Sequence, residues 1–121
     1  GVKLFEYNAD TPYTLYEAGR LQLAWQQTLF PDAGQINLIE ALAIERLADI
    51  RAAYPAQTRS RLGALFIHES EEPTQAAYVA TLARAAGWEA DVEWFHFLHF
   101  EDGLLKNQDG ERIGPIVKVQ P

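Results

Sequence analysis

The 121-residue chain contains no cysteine. Disulfides, thiolate nucleophiles and cysteine-ligated zinc are thereby excluded, and nothing points to secretion. Methionine is absent too, even at position 1. No apolar run is long enough to span a bilayer, and no basic stretch precedes an apolar one as in a secretory leader. Positive charge is scarce: 10 Lys and Arg stand against 17 Asp and Glu, for a net charge of −7. Such a surface disfavours nucleic acid and anionic membranes, and it suits a cationic partner only weakly. The phosphate-binding patterns G-x-G-x-x-G and G-x-x-x-x-G-K-[ST] are missing, so no self-contained nucleotide site is expected. The nucleophile elbow G-x-S-x-G is missing as well. These exclusions leave a cytoplasmic protein as the expectation.

What is present reads as one folded domain, because 48% hydrophobic residues over this length can fill a core. "VKLFEYN" gives a strand over 2–8. Thr14 with Glu17 three residues on is a capping-box pattern, and Leu21, Ala24, Trp25, Thr28 and Leu29 follow on one helical face. "PDAGQ" breaks that helix. Asn37 with Glu40 repeats the cap, and Ile39, Leu42, Ala43, Leu47 and Ile50 form a second face ending near Tyr54 and Pro55. The apolar run "RLGALFI" predicts a buried strand over 62–67, with "HESEEP" as its polar exit. A third helix starts near Pro73 and passes through Val79, Leu82 and Ala86, with Gly87 as its C-cap. Further strands are expected over 90–95 and 116–119, and Asp109–Gly110 marks a hairpin turn. The order β-α-α-β-α-β, then a hairpin and a strand, predicts an α/β domain. Its layered, mixed and partly parallel sheet is flanked by helices. Both chain ends stop in or beside strand-like runs, which suggests a piece excised from a larger protein.

Three stretches could carry chemistry. "HFLH" places His96 and His99 at i and i+3, which in a strand point to opposite faces. Structural or surface histidines are therefore the better reading than a zinc pair. His68 stands beside Glu69, Glu71 and Glu72, either as a solvated helix start or as a contact for a polyamine or metal. In "EYNAD", Glu6 and Asn8 share one face of a strand, roughly 6.6 Å apart, and could aim a carboxylate and an amide oxygen at one hard cation. The competing reading is an Asx turn in which Asp10 bonds ahead into "TPYT". Spacing alone favours the turn.

The stretch "KLFEYNADTPYTLYEA", residues 3–18, resembles the signature K-[LV]-[LYF]-EYNAD-[ST]-x-[ST]-…-EA of the glutathionylspermidine synthase family. "HESEEPTQAAYVATLARAAGW" resembles the family's strand exit, acidic pair and following helix, and "RIGPIVKVQP" the segment just before its ATP-grasp core. The resemblance implies a pre-ATP-grasp α/β domain joined to an ATP-grasp domain. It implies ATP-dependent amide formation, through an acyl phosphate, between the glycine carboxylate of glutathione and an amine of spermidine. By position it makes Glu6 and Asn8 magnesium ligands, sets Thr11 and Tyr13 where the family contacts glutathione, and sets Glu71 and Glu72 near the polyamine. It names no catalytic residue here.

The departures have consequences. Tyr13 replaces a small hydroxyl residue, and "KVQP" replaces a Leu-Tyr pair. The family's upstream R-x-D segment, its ATP-binding lysines and its glycine-rich lid lie outside this sequence. The longer protein would use Mg2+ and ATP with a glutathione-like acid and a polyamine-like amine, whereas the fragment is expected to hold neither cofactor and to be inactive. The alternative is a non-catalytic α/β binding or assembly module that keeps the strand-end motif for stability.

Overall fold

The computed structural model describes residues 15–54, 61–66 and 73–118. The strand expected over 2–8 and the cap at Thr14 lie outside these residues. A helical run begins at Leu15, but it is not a regular α-helix throughout. Glu17–Leu21 forms a π-helical turn, and α1 continues over Gln22–Leu29. A π turn inserted in a helix needs a local cause. Here Gly19 faces the Tyr78 hydroxyl, and an added Cβ would overlap it. Asn37 closes the turn from below: its Nδ2 donates to the carbonyls of Ala18 at 3.3 Å and Gly19 at 2.9 Å.

Helix α2 spans Ile39–Ala53. The N-cap falls on Leu38, with no side-chain cap bond, one residue past the expected Asn37, whose Oδ1 reaches only the Ile39 N–H at a long 3.4 Å. Glu40 does not complete the box. It accepts a 2.8 Å hydrogen bond from the Tyr78 hydroxyl and pairs with Arg20. The apolar faces expected of these helices are only partly used among the described residues. Leu47 and Ile50 pack against the core, while Trp25 and Leu42 remain 59% and 58% exposed.

Strands β1 (Arg61–Phe66), β2 (Ala90–Trp94) and β5 (Ile113–Lys118) form a sheet of order β2-β1-β5, with both pairings parallel. Helix α3, Thr74–Ala85, makes the crossover from β1 to β2. Strand β2 stops one residue short of expectation, because Phe95–Phe97 turns into a short 3-10 helix. Between β1 and β5 the register slips from Arg61↔Ile113 to Gly63↔Ile116, leaving one extra residue on β5. Pro115 falls in that bulge, where its missing N–H costs the ladder least.

The core lies between α3 and one face of the sheet. Leu62 and Ala64 of β1 and Ala90 of β2 meet Ala76, Val79, Ala80 and Ala83 of α3. Those alanines have no exposed surface, and their small size lets the helix sit close to the sheet. Trp88 joins this core and donates its indole N–H to the Leu47 carbonyl at 2.9 Å, tying α2 to it. Helix α3 ends as expected at Gly87, whose φ of +87° suits glycine. Gly87 N–H bonds to Arg84 O and Trp88 N–H to Ala83 O, the paired bonds of a Schellman end.

The hairpin is built from β3 (His99–Glu101) and β4 (Leu104–Lys106). Its tight turn is Asp102–Gly103, with φ of +51° and +73°, rather than Asp109–Gly110. The later Asp-Gly pair belongs to a wider turn that ends in a single antiparallel bridge between Lys106 and Arg112. Asn107 explains the difference. Its Oδ1 accepts the N–H groups of both Asp109 and Glu111, so a side chain organises this turn instead of a strand ladder. None of the described helices is long and apolar enough to cross a membrane.

Candidate functional site

Strand β1 has a parallel neighbour on each side, so its carboxyl end leaves the middle of the described sheet. Open α/β sheets take ligands beyond that edge. The residues that follow are those carrying Glu71 and Glu72. These two, with Glu6, Asn8, Thr11, Tyr13, Asp10 and His68, lie outside the described residues. What the structure describes is the frame on both flanks. The chain after Tyr13 enters the helical run at Leu15, and the chain after Glu72 enters α3 through Pro73.

These two helix starts are joined directly. Gln75 Oε1 accepts the Tyr16 N–H at 3.1 Å, and Gln75 Nε2 donates to the Glu17 carboxylate. Beside this tie the Tyr16 and Tyr78 rings meet edge to face, with centroids 5.4 Å apart. A groove of about 400 Å³ runs between Tyr16, Pro73, Ala77, Tyr78 and Thr81. The Tyr78 hydroxyl is pushed up to about 12, first by burial and then by its hydrogen bond to Glu40. It therefore acts as a fixed donor at neutral pH. Arg20, paired to the same carboxylate, holds Glu40 in place from the π turn.

A second cleft, also about 400 Å³, runs along β2 from Ala80 and Arg84 of α3 to Glu93 and the turn around Asn107. Arg61 pairs with both Asp91 and Glu111, and Arg84 pairs with Asp91 at 2.6 Å. Burial alone would raise the Asp91 pKa, but the bonds from Arg61 and Arg84 outweigh it and hold the carboxyl below its ordinary value. Glu93 is different. It is 8% exposed, its Oε1 meets Asn107 Nδ2 at a long 3.3 Å, and burial pushes its pKa up. The cleft is thus lined by charges that mostly satisfy one another, and it serves to clamp the turn around Asn107 over the sheet.

His96 falls in the 3-10 turn and His99 in β3, so the two histidines belong to different elements. Among the described residues no group of three or more His, Asp or Glu side chains could hold a metal ion. Sequence reasoning missed Gln75, Glu93 and Asn107. Asn107 had a signal, since an asparagine two residues before Asp-Gly favours an Asx turn. Glu93 had a weaker one, a charge in an otherwise apolar strand end. Gln75 had none, because its partners are far away in sequence.

The family described as the glutathionylspermidine synthase pre-ATP-grasp family matches residues 1–121. A trypanothione synthetase from Crithidia fasciculata is 33% identical over 121 residues, covering 98% of this chain. The chain spans only 18% of the length of that curated relative. The match runs through both helix starts joined by Gln75 and through the strands of the parallel sheet. The chain belongs to the glutathionylspermidine synthase family, in its pre-ATP-grasp portion.

Proposed function

We propose that the chain is part of an ATP-dependent carboxylate–amine ligase, which joins a glutathione-like acid to a polyamine-like amine through an acyl phosphate in the cytoplasm. The observation that carries this reading is the family match over the whole chain, together with the intact "EYNAD". A carboxylate and an amide oxygen are the hard donors that magnesium takes, so Glu6 and Asn8 would hold it. When bound, magnesium supplies charge neutralisation at phosphate oxygens. Asp10 shapes the turn that follows. Glu71 and Glu72 attract and orient a protonated amine, and Thr11 and Tyr13 lie on the acid side. The phosphate-cradling residues of such a reaction are not in this sequence, so the chain alone does not turn over ATP.

The test is Glu6→Gln in the full-length protein that carries this chain. Amide synthesis at saturating magnesium should fall about a hundredfold or more, the loss of several kcal/mol of charge stabilisation. The melting temperature should stay within about 2 °C, since Glu→Gln keeps the side chain's size and shape. Wild-type turnover in that variant would reduce "EYNAD" to a strand end and its turn.

A further inference from the structure

We propose that the uncharged face of α1, centred on Trp25, is a docking surface for an apolar segment of the longer polypeptide that lies outside these 121 residues. The proposal goes beyond the ligase reading and does not need its chemistry. It needs only a longer protein of the kind the chain matches. Leu21, Trp25 and Leu29 follow one another at i, i+4 and i+8, so they form one stripe along the π turn and α1. All three are exposed. Phe30, exposed as well, sets its ring edge to face with Trp25 at a centroid distance of 5.3 Å. At the other end Asn37 bonds to the Gly19 carbonyl and Glu40 pairs with Arg20. These ties bring the start of α2, with the exposed Leu38 and Leu42, up to the turn that ends in Leu21.

Two properties set this face apart from scattered surface leucines. It lacks charge: residues 21–39 carry one charged side chain, Asp32, in a chain whose composition is 22% charged. Solvated helix faces carry charged and polar groups, whereas the centres of interfaces are poor in charge and rich in aromatics. The helix also lacks support. It has eight residues, none of them buried, and among the described elements only the π turn is packed extensively against it. Isolated helices shorter than about 12–15 residues are marginal in water, and packing of one face supplies the missing stability. The tip is nonetheless fixed. Gln26 Nε2 donates to the carbonyls of Phe30 at 2.7 Å and Ala33 at 2.6 Å, which holds Phe30 near Trp25. Aromatic rings held in place before docking lower the ordering cost of binding.

The size of the face points to a tethered partner. Stable interfaces between separate chains use about 20–30 residues a side. The stripe, Phe30 and the two leucines of α2 fall well short of that, so a second copy would be held weakly. A partner on the same polypeptide needs less, because a linker keeps it at an effective concentration of the order of mM. The chain covers 18% of the length of the trypanothione synthetase it matches, so most of such a protein is there to supply the partner. The surface that meets α1 would itself be apolar, since a charge pressed against this stripe would lose its water without gaining a counter-charge.

The experiment is hydrogen exchange, read by mass spectrometry, on the full-length protein that carries this chain. In the wild type the α1 amides should exchange at least about a hundredfold more slowly than in a free peptide, which an unpacked helix of this length does not achieve. Trp25→Glu should cut that protection about tenfold or more, together with that of one segment outside residues 1–121, while β1, α3 and β2 keep theirs. Leu29→Ala truncates the same stripe more mildly, guards against misfolding, and should give the same paired loss at about threefold. Gln27→Glu, on the opposite side of α1, should change neither segment. Amides of α1 that exchange like a free peptide overturn the proposal. So does a loss confined to residues 1–121, which would mean that the chain covers its own face. Protection that grows over about a fiftyfold rise in protein concentration, with a dimer in sedimentation, assigns the face to a second copy and overturns it too. Each of these results leaves the ligase reading standing. A wild-type protein that joins no acid to any amine, yet shows the paired loss, sinks that reading and leaves this inference.

Discussion

At Gly19 a missing side chain is a packing requirement. The Tyr78 hydroxyl occupies the space a Cβ would need, and the π turn, Asn37 and Glu40 are arranged around that contact. Gly19→Ala should destabilise the protein by about 1–3 kcal/mol, the usual cost of overpacking. Tyr78→Phe removes the hydroxyl that the new methyl meets. In that background the cost of Gly19→Ala should shrink, and a double-mutant cycle in urea should show a coupling of at least about 1 kcal/mol. Additive effects would mean that the glycine is there for another reason. The capping pattern Asn37-x-x-Glu40 illustrates how far such detail was legible. Asn37 stands one residue before the cap and spends its amide on the π turn, and Glu40 is taken by Tyr78, a residue no local pattern could have offered it. Gln75 is a similar case, with both partners at the far end of the described chain.

Where strand β2 meets the turn after β4, the chain buries a carboxylate with little to hold it. Glu93 is nine-tenths buried and its Asn107 contact is long, so its ionised form is disfavoured. The sign follows from the direction of the shift. A carboxyl whose folded pKa lies above its unfolded value stabilises the fold below the unfolded value, and that contribution is lost as pH rises through the folded value. At neutral pH Glu93 is thus a net cost. Glu93→Gln should raise the melting temperature by roughly 2–4 °C at pH 7–8, a gain of under about 1 kcal/mol, and the gain should vanish near pH 4. A gain that persists at pH 4 would point to packing rather than charge. Strands β1 and β2 and helix α3 were legible because each has a continuous local signal: an apolar run, an alternation, a proline start and a glycine end. The hairpin was legible as a type but not in place. The sequence holds two Asp-Gly pairs, and only the side chain of Asn107 tells them apart. The apolar spacing of α1 and α2 predicted helices that are there, yet a pattern does not say that a neighbour covers it, and Leu21, Trp25, Leu29 and Leu42 stay open among the described residues.

The domain as a whole was legible in class, and its family in the motif at residues 3–18, because that motif is long and specific. The expected site residues lie outside the described residues, and the frame beside them depends on contacts between helices far apart in sequence, which no local pattern carries. One feature of the sheet has a kinetic consequence. Pairing β1 with β5 closes nearly twice the length of chain that pairing β1 with β2 does. Doubling a loop costs only about 0.6 kcal/mol, so length alone does not set an order of events. The core does, since α3 packs on β1 and β2 together, while β5 joins through a slipped register and a proline without an N–H. The β1-α3-β2 unit should therefore behave as one cooperative block, with β5 docking later and leaving earlier. Native-state hydrogen exchange under low denaturant should show β5 amides opening at a lower free energy than those of β1, and with a smaller denaturant slope. If both strands exchange only through global unfolding, the sheet is a single unit. If β5 opens first, the central strand is periodically stripped of one neighbour, and its edge is briefly offered to any other extended chain.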